Sequence, residues 1–168
     1  VIAPTWFSLS DNEGGYESFG TSDYVDNAHA MGLEVWGVLD DFNYHNTHED
    51  TIDVYAVLSS TTKRTKLIES VVKEALALGL DGINLDFERV TQECGEHYAQ
   101  FVKEMRFDRL GCFTYSAEED TVAATFEDQI DAQTKQDRMD NIMDMQMTIS
   151  AEKNEEKVGT VTEVLIEG

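Results

Sequence analysis

The sequence contains few of the residues that mark several common classes of protein. Its 168 residues include one proline, two cysteines, and 12 lysines and arginines against 34 aspartates and glutamates. Cys94 and Cys112 lack the spacing of a metal site or a redox motif, so we expect no metal and no cofactor. There is no run of about 20 apolar residues that would cross a membrane. The net charge of -22 opposes binding to phosphate backbones and anionic membranes, so we expect neither a nucleic acid nor a membrane as a partner.

The most informative segment is residues 81–88, which reads Asp-Gly-Ile-Asn-Leu-Asp-Phe-Glu. Its polar and apolar side chains alternate, which is typical of a β-strand because successive side chains point to opposite faces. Asn84, Asp86 and Glu88 would then share one face, and the apolar residues would pack on the other. Buried acids need partners or a wet cavity. The pattern therefore predicts a barrel strand whose polar face lines a cleft, with Glu88 at the rim.

Two carboxylates at this spacing suit acid catalysis. Asp86 and Glu88 would lie about 6–7 Å apart on one strand face. A general acid at neutral pH needs a raised pKa, and a nearby like charge supplies part of that shift. The alternative interpretation is a pair of solvated acids at the end of a strand in a very acidic protein.

Strand and helix patterns alternate along the first half of the chain. Ile2–Leu9 and Leu33–Leu39 read as strands, and each is followed by an amphipathic helix, closed by Gly32 and Gly79 respectively. Repeated strand–helix units predict an α/β fold with parallel strands. Ligands of such folds bind at the carboxyl ends of the strands. Four polar side chains are expected at that edge: Ser8, Asp40, Asp41 and Glu88.

The segment 81–88 resembles the active-site strand of family 18 glycoside hydrolases, the chitinase-like enzymes, whose pattern is Asp-Gly-x-Asp-x-Asp-x-Glu. Upstream, residues 4–8 (Pro-Thr-Trp-Phe-Ser) and 28–37 (Ala-His-Ala-Met-Gly-Leu-Glu-Val-Trp-Gly) resemble preceding strands of the branch that includes spore-lytic and cell-wall enzymes. The resemblance covers about residues 1–105. It implies a carbohydrate polymer as the partner and an extracellular or spore location.

The resemblance also implies roles for individual residues. Glu88 would be the general acid, and Asp86 would orient the 2-acetamido group of the substrate, whose oxygen is the internal nucleophile. Asn84 stands where the family has an aspartate, and an amide cannot share a proton with Asp86. The remaining candidates for substrate binding are Asp81, Asn84, Asp40 and Tyr115, the last as a stand-in for a tyrosine that the family supplies from a later strand.

The second part of the chain resembles a different family. Residues 107–119 (Phe-Asp-Arg-Leu-Gly-Cys-Phe-Thr-Tyr-Ser-Ala-Glu-Glu), 128–130 and 164–168 are similar to the end of the radical-SAM barrel of ribosomal-protein methylthiotransferases and to the start of their RNA-binding TRAM domain. This resemblance implies a cytoplasmic location. The activity of that family needs a Cys-x3-Cys-x2-Cys motif, and two isolated cysteines cannot hold its cluster.

These observations predict a chimera or fragment with two parts, residues 1–105 and 106–168, packed as one domain. A (β/α)8 barrel typically needs about 250 residues. We therefore expect a half TIM-type barrel of about four parallel βα units, with residues 106–116 as the fourth strand, followed by a long C-terminal helix and a terminal strand. Homodimerisation would cover its exposed edges.

Three functions compete at this stage. The first is a glycosidase-type site for N-acetylhexosamine polymers such as chitin or peptidoglycan, in which Glu88 and Asp86 carry the chemistry. The second is a non-catalytic structural or sugar-binding half-barrel. The third is a methylthiotransferase-derived module without its iron–sulfur cluster.

Overall fold

The computed structural model of the chain describes residues 1–42, 52–117, 119, 123–125 and 129–161. The chain divides into two compact units, Val1–Glu104 and Met105–Gly168, called here the N-terminal and the C-terminal unit. The predicted packing of the two parts as one domain stays a prediction. The elements in chain order are β1 (Thr5–Leu9), β2 (Tyr16–Ser18), α1 (Ser22–Ala30), β3 (Trp36–Asp40), α2 (Val54–Leu58), α3 (Thr61–Leu78), β4 (Gly82–Asp86), α4 (Gly95–Met105), a short 3-10 helix (Ala123–Thr125) and α5 (Ala132–Glu156).

The N-terminal unit has an α/β fold built on a mixed sheet of four strands in the order β2-β1-β3-β4. Strands β1, β3 and β4 are parallel, as predicted, and β2 is antiparallel to β1. The fourth strand is therefore a hairpin partner at the start of the chain, and the prediction of about four parallel strands is wrong. Within the described part of the chain β4 pairs with β3 alone, so it is an edge strand.

A tight turn explains why the chain returns along β1. The Oδ1 atom of Asp11 accepts hydrogen bonds from the N–H groups of Glu13 and Gly15, both at 2.7 Å. Gly14 has a φ of 76°, a left-handed conformation that glycine adopts without steric cost. The strand that follows this turn was not among those that the sequence predicted.

α1 and α3 end beside the glycines that the sequence predicts. α3 runs from Thr61 to Leu78 and ends at Gly79, which has a φ of 77° and closes the helix in the left-handed conformation. Its buried apolar face consists of Leu67, Val71 and Ala75. Removing a Val or Leu side chain from water stabilises the fold by about 1.5–3 kcal/mol. This burial stabilises α3 against its neighbours in the N-terminal unit, among them α1 and α2.

The predicted strand at residues 106–116 is absent: the structure describes all of these residues, and none of them lies in a strand. The segment instead bonds to α5 within the C-terminal unit. The Phe107 carbonyl accepts a hydrogen bond from Gln146 at 2.8 Å, and Lys153 forms an ion pair with Asp108 at 3.1 Å. Arg106 has a φ of 48°, which turns the chain out of an extended path. Side chains of α5 satisfy backbone groups that a strand would have paired with a neighbouring strand.

The long C-terminal helix is confirmed as α5, which begins after Asp131, whose side chain accepts a hydrogen bond from the Thr134 N–H. The predicted terminal strand at residues 164–168 lies outside the described residues. Homodimerisation stays a prediction. None of the described helices is long and apolar enough to cross a membrane.

We expect replacement of Gly37 by alanine to destabilise the sheet. An added Cβ would lie 2.7 Å from a ring carbon of Phe7 and 2.8 Å from a methyl carbon of Leu80, so the packing around β3 would have to shift. Overpacking of this kind typically costs about 1–3 kcal/mol. Urea unfolding would measure the loss. The matched control is Gly111→Ala, because nothing lies within 4 Å of the new methyl group there; equal stability of the two variants would contradict the prediction.

Candidate active site

Three polar side chains form a row across the carboxyl ends of the parallel strands. Ser8 is in register with Asp40, and Asp40 is in register with Asp86. Residues in register on neighbouring strands have side chains on the same face of the sheet. Ser8 and Asp40 are buried, whereas Asp86 is exposed. The row therefore leads from the sheet interior to the solvent-exposed edge at β4.

Asp40 is held firmly in this row. Its Oδ1 atom accepts a hydrogen bond from the Ser8 hydroxyl at 2.7 Å and another from the Phe42 N–H at 3.2 Å. A buried carboxylate needs such donors because desolvation of a charge is costly. Asp40 therefore lies beside Asp86, at the edge where the sequence predicted a substrate-binding residue.

The predicted alternation of residues 83–88 is confirmed by exposure. Asn84, Asp86 and Glu88 are exposed, and the three apolar residues that alternate with them are partly buried. Phe87 contacts two aromatic rings of α4, with ring centroids 5.7 Å away at Tyr98 and 5.6 Å away at Phe101. The apolar face of β4 thus packs on a helix, and the polar face is open. Asn84 lies next to Val38 in register, one pair of residues before Asp86.

The position of Glu88 relative to β4 differs from the prediction. β4 ends at Asp86, so Glu88 lies two residues beyond the last strand residue. Its backbone N–H donates to the Oδ1 atom of Asp41 at 3.1 Å, and the N–H of Arg89 donates to the Oδ2 atom of Asp41 at 2.8 Å. A side chain from the end of β3 thus fixes the backbone that carries the predicted general acid.

Asp41 is a residue that the sequence predicted at this edge but not as a catalytic or substrate-binding residue. Its position directly after β3 was visible in the sequence, but its contact with residues 88 and 89 was not. The side chain is fully buried. Burial raises the pKa of Asp41, while the N–H groups of Glu88 and Arg89 and the Arg89 charge act in the opposite direction.

Asp81, a predicted substrate-binding residue, lies at the amino end of β4, opposite the end that carries Asp86. Its Oδ2 atom is 2.8 Å from the Nε2 atom of His29 and accepts a hydrogen bond from the Val35 N–H, also at 2.8 Å. The Val35 bond and then the His29 bond lower the pKa of Asp81. These contacts join α1 to β3 and β4, so the structure does not bring Asp81 together with Asp86 and Glu88.

Tyr115 is not at the end of a fourth parallel strand, because no strand forms there. It belongs to the C-terminal unit, where the Lys135 ammonium lies 5.0 Å from its ring centroid and donates a hydrogen bond to its carbonyl at 3.2 Å. Its predicted position beside the other site residues has no support from this arrangement.

The two thiols are poorly suited to catalysis or metal binding. Cys94 is buried and Cys112 partly buried, and burial raises the pKa of both thiols. A raised pKa keeps a thiol protonated and weakens it as a nucleophile or metal ligand. Among the residues that the structure describes, no group of three or more His, Cys, Asp or Glu side chains is arranged to hold a metal ion.

The fold of part of this chain is similar to that of chitinase-like proteins. It is similar to a class V chitinase from Pseudomonas fluorescens, with a TM-score of 0.55 and 21% identity over 63% of this chain and 33% of that one. It is also similar to the spore cortex-lytic enzyme SleL from Bacillus megaterium, with a TM-score of 0.52 and 18% identity over 62% of this chain and 24% of that one. At these identities the similarity concerns the fold alone.

The sequence is similar to ribosomal protein uS12 methylthiotransferases RimO. The protein from Bdellovibrio bacteriovorus is 42% identical over 105 residues, and that from Christiangramia forsetii is 39% identical over 124 residues. These matches cover 62% and 72% of this chain but only 21% and 24% of the relatives, so the chain spans about a quarter of their length. No family model matches the chain.

Both resemblances predicted from the sequence are confirmed by these comparisons, and their extents overlap. Residues 106–168 number only 63, so sequence matches of 105 and 124 residues also include part of the chain before Arg106. The structural match and the sequence match each cover more than 60% of the chain, so some residues belong to both. A chimera remains a prediction.

Proposed function

We propose that this chain carries a glycosidase-type site for N-acetylhexosamine polymers such as chitin or peptidoglycan. Glu88 is the general acid that protonates the leaving oxygen. Asp86 orients the 2-acetamido group of the substrate, whose oxygen attacks the anomeric carbon in a retaining mechanism. The polymer is the partner, and no nucleic acid, membrane or cofactor takes part.

The observation that carries this proposal is the exposure of Asp86 and Glu88 at the carboxyl edge of the parallel strands, beside the buried Ser8–Asp40 pair. An acid must reach the substrate, so exposure is required, and a catalytic group must be held in place. The neighbouring strand holds Glu88 through its backbone. The chitinase-like fold supports the same assignment.

The N-terminal unit corresponds to part of a barrel in this proposal. The chain covers about a third of the length of the similar class V chitinase. β4 has an unpaired edge among the described strands, where a barrel would continue with its next strand. A partial barrel leaves the polymer bound on one side only, so we expect weak substrate binding.

A second candidate is a non-catalytic structural or sugar-binding role. Asn84 favours it, because an amide cannot share a proton with Asp86, and the polar face of β4 is open to solvent. The third candidate is a methylthiotransferase-derived module. The identity of 42% to a methylthiotransferase favours it, but two cysteines are too few for the cluster that the chemistry requires.

We expect hydrolysis to depend on the acetamido group of the substrate. The chain should release a chromophore from an N-acetylglucosamine oligomer and not from the corresponding glucose oligomer, because only the first carries the internal nucleophile. Asp86→Asn should lower the rate on the first substrate, and Asn84→Asp should raise it by restoring a carboxyl group beside Asp86. Initial rates of absorbance change are the measurement.

The outcomes separate the candidates. Equal rates on the two sugars would exclude participation of the acetamido group. The non-catalytic role becomes the better explanation if three results occur together: neither sugar is cleaved, the Asn84→Asp variant is also inactive, and the circular dichroism spectrum is that of a folded protein. Binding of the N-acetylglucosamine oligomer in calorimetry would then distinguish a sugar-binding role from a structural one.

A further inference from the structure

Asp41 joins two segments that are distant in the sequence. It follows β3 directly and is fully buried, and its two carboxylate oxygens accept hydrogen bonds from the consecutive N–H groups of Glu88 and Arg89. A second contact joins the same segments, because the Arg89 guanidinium lies 5.0 Å from the ring centroid of Phe42. The backbone after β4 is therefore attached to the end of β3 at two neighbouring points.

These bonds occur where the sheet no longer supports the chain. The β3–β4 pairing ends at Asp40 and Asp86, so the N–H groups of residues 88 and 89 have no partner in the ladder. Buried backbone donors need an acceptor, and a carboxylate is a stronger acceptor than a carbonyl. Two bonds from one carboxylate restrict both the position and the rotation of the peptide that follows Glu88.

We propose that Asp41 is a positioning residue that sets the location of the Glu88 carboxyl group through these two backbone hydrogen bonds. The proposal rests on the proposed role of Glu88 as the general acid. Asp41 does not touch the substrate. It acts by keeping Glu88 at the distance from the leaving oxygen at which proton transfer occurs.

Protonation of Asp41 should weaken this attachment. The carboxylate accepts through both oxygens, whereas the acid form uses one oxygen as a donor and loses part of its accepting capacity. The ionisable groups that interact with Asp41 are Arg89 after β4 and Cys94 before α4, and Cys94 in turn interacts with Asp53 before α2; Asp40 directly precedes Asp41 in the chain. Arg89 is the cation among them and favours the carboxylate, while burial favours the acid form.

The sign of the linked stability change follows from the raised pKa of Asp41. The folded state binds this proton more tightly than the unfolded state does. The contribution of Asp41 to stability is therefore largest below the ordinary value of 3.8 and decreases as the pH rises through the folded pKa. The backbone attachment changes in the opposite sense, since it is strongest when Asp41 is ionised.

Amide resonances of the 15N-labelled chain between pH 7 and pH 3 test the attachment. We expect the amide protons of Glu88 and Arg89 to shift together, with one midpoint above 3.8. The matched internal control is Asp11, which accepts N–H bonds from Glu13 and Gly15 at 2.7 Å. Burial raises the pKa of Asp11, but the two N–H bonds and the charges of Lys63 and Lys66 outweigh it, so the pKa is lowered. The amide resonances of Glu13 and Gly15 should therefore shift at a pH below 3.8.

The variant Asp41→Asn tests the effect on Glu88. In this variant the amide titration at residues 88 and 89 should disappear, and that at residues 13 and 15 should stay intact. The kcat on the N-acetylglucosamine oligomer should fall about 10²-fold with KM unchanged, because small displacements of a catalytic group have effects of that size. Asp11→Asn should keep the kcat of the unmodified chain. If Asp41→Asn does not fold, the titration of the unmodified chain decides.

Two results would overturn the proposal. One is independent titration of the Glu88 and Arg89 amides, or no titration of either above pH 3.8. The other is a folded Asp41→Asn variant with full kcat. If the unmodified chain hydrolyses neither sugar, the proposed glycosidase function fails, and the coupled amide titration still establishes or rejects the attachment of Glu88 to Asp41.

Discussion

Replacing Glu88 by glutamine should reduce the hydrolysis of N-acetylglucosamine oligomers about 10²–10⁴-fold, the usual contribution of a general acid. Glutamine has the same shape but no acidic proton to transfer to the leaving oxygen. The loss should be greatest for a sugar leaving group and smaller for a nitrophenolate, because a weakly basic leaving group needs less protonation. Initial rates with both substrates measure this difference.

The fold should survive the change at Glu88. Its side chain is exposed, and Asp41 holds its backbone N–H and not its carboxyl group. Thermal unfolding should therefore stay close to that of the unmodified chain, as for most surface substitutions. Glu69→Gln is the matched control, since Glu69 is an exposed glutamate on α3. Unchanged hydrolysis by Glu88→Gln would remove Glu88 from the mechanism.

Replacing Glu104 by alanine should lower the free energy of unfolding by about 3 kcal/mol, the lower end of the usual cost of removing one partner from a buried ion pair, because Glu104 is partly exposed. Glu104 accepts two hydrogen bonds from the Arg64 guanidinium, at 2.9 and 3.0 Å. The side chain of Arg64 is only 6% exposed and that of Glu104 25% exposed. Without Glu104, α3 would retain a buried cation whose ion-pair partner is gone. Urea unfolding at neutral pH measures the loss.

The pH dependence and a double variant give the controls for this prediction. The Arg64 bond lowers the pKa of Glu104, although burial acts against it. The contribution of Glu104 to stability is therefore present at neutral pH and is lost as the pH falls through its folded pKa. The free energies of unfolding of the variant and of the unmodified chain should converge in acid. Arg64→Met combined with Glu104→Leu should recover much of the stability, because no charge is then left buried. A double variant as unstable as Glu104→Ala would contradict this explanation.

Local patterns predicted the parts of the fold that depend on neighbours in sequence. The apolar spacing in residues 67–75 predicted the buried face of α3, and Gly79 predicted its end. The alternation in residues 83–88 predicted which side chains of β4 are exposed. Helix and strand periodicities are properties of short segments, so a sequence displays them directly.

The outcome for residues 106–116 shows where such patterns fail. The segment has the composition of a strand, but a strand requires a partner strand, and α5 supplies the bonds to Phe107 and Asp108 instead. β2 is the reverse case. Its three residues have little strand character alone, and pairing with β1 across the Asp11 turn makes them a strand. β-structure depends on context more than helical structure does.

The sequence by itself determined which residues carry the candidate chemistry, because Asp86 and Glu88 alternate with apolar residues in one short segment and this depends on no other part of the chain. Only the tertiary structure decided how that strand is supported. Asp41 is 47 residues from Glu88 in sequence, and Asp81 is 52 residues from His29. The path of the chain between two such residues sets whether they meet, and no local periodicity encodes that path. The tertiary structure therefore assigned Asp41 to the support of Glu88 and Asp81 to the packing of α1.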